Sequence, residues 1–466
     1  MLLSNGYRDC FPDKRLNNRC VEVINNLFTK GVHSIRQLSD SLSQAKGFYR
    51  FLKNERVEED SIISDISSRC GVSCKGKTVL CIQDSTEINM YKHRNRLQKD
   101  GSLGTTNAKF QGLGYLLHPS LVVDAQSCVP YGFSYIKIWN RPEVRVNKHV
   151  RKYSTLPIQE KESYKWIESS KKSKEALKEA ESIIIVQDRE GDIYEQFSCI
   201  PDERTDLLVR ASTNRTLTDK TKLFDVFDGH PAQGSYQIKV EGDKRKKRST
   251  RIADIEVRYK EVEIKRTGTS SKESPDTVKL FYIEAKEKVS KGCNNPVCWR
   301  ILTTIPLENI DMALCCIEWY SWRWTIEEVF RILKKEGFNI EASELEYGQS
   351  IRKLSLLMLD VILKLFMMQL SYAVPEEEGL CAESCFSKQE QECSEDLIKI
   401  LEGKTEKQKN LYKKQSLKRH VWTIARLGGW KGYASERPPG ITTLWIGLQK
   451  FAEINIGWRI KNIPET

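Results

Sequence analysis

The sequence predicts a mixed α/β fold with helical segments at both ends. Two short apolar runs, VLCIQD and IIIVQD, each deliver a carboxylate (Asp84 and Asp188) at what reads as a strand end, and a stretch of helical period lies between them. Apolar residues also recur at helical spacing over residues 13–57 and again after Leu307. From about Arg215 to Pro306 the pattern changes to short strands in polar loops, which reads as a β-rich insertion.

Taken in order, DKRLNNRCVEVINNLFTK forms a first helix, Ser34 can cap a second, and SQAKGFYRFLKN supplies a third. The cations here, including Lys14, Arg15, Arg19, Lys46 and Arg50, outnumber the acids. A small helical DNA-binding module fits this, and so does a helical cap on the next domain. From Lys77, KTVLCIQDSTEI is a buried run ending at Asp84, and YLLHPSLVVDAQSCVPYGFSYIKIW gives two strands joined by a turn rich in Pro and Gly. KESYKWIESSKKSKEALKEA is helical. ESIIIVQDREGDIYEQF then brings Asp188 to a strand end, with Asp192 placed to cap the helix that follows, and LLVRAS is a further strand ending near Arg210. Within the insertion, SYQIKV, ADIEVRY and VKLFYIEA are strands, and the basic run KRKKRSTR from Lys244 to Arg251 suits either a DNA contact or a solvated loop. Leu354 to Leu370 is the most apolar long stretch, but Asp360 and Lys364 mark it as a buried helix. EEEGLCAESCFSKQEQECSEDL reads as a linker or mobile loop before a last helical domain.

Composition narrows the function. The 466 residues allow two or three domains, and a net charge of +12 points toward a polyanionic partner. Mean hydropathy is −0.51, no apolar run reaches membrane-spanning length, and MLLSNGYRDCF lacks the apolar core of a signal peptide, so the expectation is a cytoplasmic protein with no membrane partner. The 14 cysteines form no paired CxxC units and have no histidine at finger spacing, which argues against structural zinc. His118 lies in an apolar run as a core residue, and no Ser or Cys nucleophile sits beside a histidine in a known hydrolase motif.

The most informative stretch is YSWRWTIEEVFRILK, Tyr320 to Lys334. At about 100° per residue, Tyr320, Arg323, Glu327, Arg331 and Lys334 share one face of a helix, and Trp322, Ile326, Val329, Phe330 and Leu333 occupy the other. A carboxylate in a row of cations suits a metal ligand beside a nucleic-acid backbone, while an ordinary solvated face is the plain alternative. Asp84 and Asp188 on neighbouring strand ends, with Glu327 arriving from a helix, can hold two divalent ions about 3.5–4 Å apart for in-line attack on a phosphodiester. Each aspartate alone would suit a turn or a cap.

With these residues in view, the sequence resembles the bacterial cut-and-paste transposases of the Asp-Asp-Glu class, in the group typified by the Tn-five transposase, insertion sequence family four. The motif Tyr, two residues, Arg, three residues, Glu, six residues, Lys stands at Tyr320, Arg323, Glu327 and Lys334. QDST at Asp84, TTNAKFQGLGYLLHPSL, DREGD at Asp188, LVR ending at Arg210, and ARLGGW also look like family segments. The resemblance implies a ribonuclease H-like catalytic core with a β-rich insertion. It places an N-terminal helical DNA-binding module at residues 1–57, the catalytic domain at 58–370 with the insertion at about 213–306, and a C-terminal helical dimerisation domain at 371–466.

The implied activity is binding of terminal inverted repeats, followed by strand cleavage, hairpin formation and strand transfer into target DNA by a homodimer. Asp84, Asp188 and Glu327 would be both the catalytic residues and the ligands of two Mg²⁺ ions, for which Mn²⁺ can substitute. Tyr320, Arg323, Arg331, Lys334 and Arg210 would hold phosphates, Trp299 would stack a flipped base, and Arg15, Arg19 and Arg50 would contact DNA from the N-terminal module. Arg331 stands where the family commonly has Lys, which keeps the charge but changes the donor geometry. DKRL lies near Met1, whereas relatives carry a longer lead-in. That keeps open a non-catalytic DNA-binding inhibitor of transposition, and a stand-alone structure-selective nuclease is a third possibility.

Overall fold

A computed structural model describes residues 6–106, 112–142, 156–242, 249–268, 270–288, 296–335, 337–433 and 437–461. Four helices open the chain: α1 (Lys14–Lys30), α2 (Ile35–Leu38), α3 (Leu42–Lys53) and α4 (Glu59–Ser73). Asp13 caps α1 by accepting from the Arg15 N–H, and Gly31, with φ of 63°, ends it in the left-handed conformation that glycine adopts without strain. Ser41 caps α3 through the Gln44 N–H. Ser34 does precede α2, but its hydroxyl makes no cap bond.

Next come β1 (Thr78–Gln83), β2 (Thr86–Asn89), β3 (Gly104–Thr105), β4 (Leu113–Asp124), β5 (Pro130–Trp139), α5 (Tyr164–Ala176), β6 (Ser182–Gln187), α6 (Tyr194–Cys199) and β7 (Thr205–Arg210). The expected β-rich stretch follows as β8 (Gly234–Val240), β9 (Arg251–Lys265), β10 (Thr277–Glu287) and β11 (Cys298–Thr303). Helices complete the chain: α7 (Ile310–Ser321), α8 (Trp324–Lys334), α9 (Gly348–Ala373), α10 (Lys388–Leu401), α11 (Leu417–Leu427) and α12 (Ile441–Lys461).

The chain divides into two compact units. One comprises Met1–Lys75, Ser85–Arg145 and Ile326–Thr466, the other Gly76–Asp84 and Val146–Thr325. In the first, α9 is the central element, packed by α1, α3, α4, α11, α12 and β5. By length and composition α9 could cross a membrane, yet 83% of its most apolar window is buried within the fold. The N-terminal helices therefore share a core with the C-terminal ones. β2, β3 and β5 all pair antiparallel with β4, and Asp124 fixes the β4–β5 turn by accepting from the Gln126 and Ser127 N–H groups.

Asp360, buried in α9, is held by a bidentate Arg69 (3.0 and 3.2 Å) and by the Tyr7 hydroxyl (3.0 Å). Burial pushes the Asp360 carboxyl up, but Arg69 outweighs it and holds the group below its ordinary range. Tyr7 is buried with a positive φ of 63°, a strained conformation for a bulky residue, and its bond to Asp360 offsets part of that cost.

The second unit is built on a mixed sheet. β1, β6 and β7 run parallel, β11 joins β7 antiparallel, and β10, β9 and β8 extend the sheet antiparallel. α5 packs against β1, and α7 against β6 and β9. The inner strands β1 and β6 are buried on both faces, so their sequences are continuous apolar runs rather than alternating ones. The KRKKRSTR run falls largely outside the described residues.

One expectation needs correction. The stretch taken as a linker is half helix, because Ser387 and Glu390 form a reciprocal capping box that starts α10. In the core of the first unit, Asp360→Ala should cost about 3–5 kcal/mol at neutral pH in a denaturant titration, because it leaves the Tyr7 hydroxyl and both Arg69 Nη groups without their buried partner and only Asp65 on Nε. Because the folded carboxyl is depressed, its contribution is complete above the unfolded value near 4 and fades as pH falls through the lower folded value. The wild-type advantage should therefore shrink in acid.

Candidate active site

β1 and β6 pair in parallel with Gln83 opposite Gln187, so the next residue of each strand, Asp84 and Asp188, leaves the same end of the sheet on neighbouring strands. Neighbouring strands lie about 4.8 Å apart, a spacing at which two carboxylates can share one divalent ion. Both aspartates are half-buried. Directly beneath them runs a row of fully buried glutamines. Gln187 Nε2 donates to Gln83 Oε1 at 2.7 Å and to Ser170 Oγ at 3.2 Å, and Gln196 Nε2 donates to Gln187 Oε1. The amide pair ties the two strand ends together at the level of the carboxylates.

Each aspartate has a partner within the same unit. Arg323 Nη1 donates to Asp84 Oδ2 at 2.9 Å, and the Tyr320 hydroxyl donates to Asp188 Oδ1 at 3.0 Å. Arg323 is 4% exposed and Tyr320 2%, so neither is a solvated surface group. Burial, followed by the charge of Asp188, pushes the Tyr320 phenol up to about 12 against the pull of Arg210 and Arg323, so it remains a donor at neutral pH. Trp299, partly exposed on β11, meets the Tyr320 ring edge-on at 5.6 Å. Arg210 ends β7, opposite Ile301 of β11, and makes no ion pair among the described residues. Asp84, Asp188, Arg210, Trp299, Tyr320 and Arg323 thus come from strand ends, one helix end and the turn after it.

The expected single helix from Tyr320 to Lys334 is broken. α7 ends at Ser321, a tight turn holds Trp322 and Arg323, and α8 starts at Trp324. In the turn the Arg323 N–H reaches the Tyr320 carbonyl at 3.2 Å and the Thr325 N–H reaches the Trp322 carbonyl at 2.9 Å, a tighter winding than an α-helix. The break belongs to the residues that turn inward to the carboxylates, so Tyr320 and Arg323 do not continue a face with the rest.

Glu327, half-buried, lies in the first turn of α8, where a carboxylate also complements the helix dipole, and Arg331 and Lys334 lie in the last. Arg331 pairs with Glu328 (Nε to Oε2, 2.9 Å), and Lys334 Nζ stands 3.5 Å from Thr86 Oγ1 and 3.8 Å from Glu341 Oε1. Among the described residues, no three His, Cys, Asp or Glu side chains are gathered at metal-binding distance.

Comparison with known proteins bears on the N-terminal helices. Residues 9–57 match the family model described as transposase DNA-binding. The matched stretch includes α1, α2 and α3, which are thus similar to the DNA-binding helices of transposases. A solved structure, described as the piggyBac transposase synaptic complex with hairpin DNA, aligns with 97% of this chain and 74% of that chain at 8% identity, with a TM-score of 0.38. A likeness at that score decides nothing about fold or activity.

Within the matched segment, Arg15 and Arg50 are exposed and make no ion pair among the described residues. Arg19 differs. Its Nη1 donates to Glu22 at 2.6 Å and its guanidinium lies over Phe48, against Gly47, where a Cβ would come within 2.9 Å of Arg19 Cζ. It braces α1 on α3, and a side chain at position 47 would push it away.

Three features lay beyond sequence reasoning. The glutamine row joins residues far apart in the chain; the QD repeat was its only trace. Ser85, next to Asp84, is 2.8 Å from Nδ1 of buried His118. Asp192, expected to cap α6, makes no cap bond. Its buried carboxylate accepts instead from the Ser212 and Thr213 N–H groups and pairs with Arg215, fixing the exit from β7. Replacing Gln187 with Leu strands the amide groups of Gln83 and Gln196, so the expected loss is about 2–4 kcal/mol in chemical denaturation. An unchanged midpoint and slope would show that the row holds nothing together.

Proposed function

We propose that the chain is a metal-dependent DNA transposase of the Asp-Asp-Glu class, with Asp84 and Asp188 as two ligands and Glu327 as the third. The observation that carries this is the in-register parallel pairing of β1 and β6, which sets two carboxylates side by side at one sheet end. The transposase DNA-binding match over residues 9–57 supports the substrate, duplex DNA, as does the net charge of +12. The donor set is hard oxygen, which suits Mg²⁺, with Mn²⁺ able to replace it. When bound, such an ion lowers the pKa of the attacking water and neutralises charge on the phosphodiester.

The residues of the chain divide the remaining work. Arg323 now neutralises Asp84, and Tyr320 donates to Asp188. Once the carboxylates face a cation, both donors are set to bind the non-bridging oxygens of a scissile phosphate. Arg210 adds a fixed cation at the end of β7, and Arg331 and Lys334 extend the phosphate contacts along α8.

Water attack at the element's end releases a 3′-hydroxyl. That hydroxyl attacks the opposite strand to give a hairpin, a second water reopens it, and the hydroxyl then attacks target DNA. Each step is displacement at phosphorus, so one site serves all of them. The hairpin needs a base out of the stack, and Trp299, partly exposed beside Tyr320, offers a ring on which stacking is worth about 1–3 kcal/mol. Two copies would pair two ends, and the exposed Ile446, Ile454, Ile456 and Ile460 of α12, interspersed with exposed Lys450 and Glu453, offer mixed apolar and charged contacts for that pairing.

The test uses the purified chain, Mg²⁺ and duplex DNA carrying the inverted repeats that flank its own gene. Wild type should nick and then hairpin the ends. Asp188→Asn should lose at least about 100-fold in cleavage while keeping end binding. Equal cleavage by the variant would remove the proposal.

A further inference from the structure

Between β2 and β3 the chain runs YKHRNRLQKD from Tyr91 to Asp100, a stretch the carboxylate site does not use. It is a built loop. Tyr91–His93 form a 3-10 turn, and the Tyr91 N–H is fixed by Asn89 Oδ1 at 3.0 Å. The Arg94 guanidinium lies 4.4 Å over the Tyr91 ring and donates to the Tyr91 carbonyl at 3.2 Å. Arg96 Nη2 donates to the Ser343 carbonyl at 2.8 Å, and the Gln98 N–H donates to the Glu346 carbonyl at 2.8 Å. Asp100, the only acid of the stretch, is occupied at the start of α9, where it accepts from the Gln349 N–H at 3.0 Å.

What this scaffold presents is positive charge. Lys92, Arg94 and Lys99 are exposed, and among the described residues none of them makes an ion pair. The acids beside the loop are Glu344 and Glu346, exposed on the stretch that leads to Tyr347. That tyrosine links the loop to the DNA-binding helices. Gln98 forms a β-bridge with Tyr347, whose hydroxyl accepts from Lys53 Nζ at 2.8 Å while the Lys53 ammonium sits 4.1 Å over the ring. Lys53 is the last residue of α3. The loop is therefore continuous with the helix that carries exposed Lys46 and Arg50.

We propose that the Tyr91–Lys99 loop is a second DNA contact, gripping the sugar–phosphate backbone of the duplex engaged by residues 9–57 without reading its sequence. This rests on the DNA-binding reading of that segment and is independent of the carboxylate site. The Arg94 guanidinium is held by a stacked ring and a carbonyl, and the backbone carrying Lys92 and Lys99 is fixed by a turn and by bonds to residues 343–349, so less entropy is lost on meeting phosphates than from an unstructured loop. An anionic membrane would also attract them, but the ring of Tyr91 lies under Arg94 and Leu97 is half-buried, so the loop presents no apolar face to enter a bilayer.

The experiment measures binding of the full chain to duplex DNA of arbitrary sequence, without divalent ions, over a range of salt. Replacing Lys92, Arg94 and Lys99 together with Gln should weaken binding at least about tenfold in low salt and flatten the slope of log K against log salt by about 2–3, since each lost phosphate contact removes about 0.9. Swapping Lys92→Arg and Arg94→Lys should restore the slope. The assay contains no divalent ion and reads no cleavage, so failure of the catalytic proposal leaves this one standing. Unchanged affinity and slope in the triple variant, at an unchanged melting temperature, would overturn it. So would failure of the wild type to bind duplex, or a loss of binding to phosphatidylserine vesicles with none on DNA.

Discussion

The parallel pairing of β1 with β6 is the constraint on which the candidate site depends. Both strands are buried runs whose side chains leave no alternative face, so a register slip by one residue would put Gln83 and Gln187 out of reach of each other. With the register fixed, Asp84 and Asp188 must emerge together. Two carboxylates so placed repel unless cations or donors answer them, and Arg323 and Tyr320 do so from the turn after α7 and from its last residues. The break between α7 and α8 is the backbone consequence of that electrostatic demand.

The same logic of answered charge recurs in both units. Asp360 lies in the long, largely buried helix α9 and is tolerated because Arg69 and Tyr7 answer its charge. Asp192 is buried against Arg215 and two backbone N–H groups. Such pairs contribute little net stability over an apolar core, but they specify which segments meet. Exposed cations tell the other half of the story. Arg15 and Arg50 in the N-terminal helices, and Lys92, Arg94 and Lys99 in the loop after β2, are exposed and make no ion pair among the described residues, the arrangement the proposed DNA contact uses.

Much of this was legible in the sequence. Apolar β-branched runs with no polar alternation located β1 and β6, helical spacing located α1 and α3, and short strand-like runs in polar loops marked out β8 to β10. The strand-end carboxylates were legible for the same reason, since the first charged residue after a buried run marks where a strand leaves the core, the glutamine before it staying inside. What escaped detection depended on contacts across the chain. No Gly or Pro marks Trp322 or Arg323, and the apolar period continues straight through them, so only the pull of Asp84 and Asp188 reveals the break. Asp192 has a cap's position, but its partner Arg215 is 23 residues away. Ser387 and Glu390 carried a local signal that the surrounding acids and cysteines obscured. Arg19 and Arg50 look alike in sequence, and only packing shows that one is a brace and the other is exposed.

We propose that Asp84 and Asp188 share one cation, and diffraction from crystals soaked in Mn²⁺, with the anomalous signal locating the ion, decides this. The expected result is a peak beside both carboxylates, with Arg323 displaced from Asp84, and loss of that peak in Asp188→Asn. A well-occupied ion elsewhere, with Arg323 still on Asp84 and no density near the aspartates, would refute it.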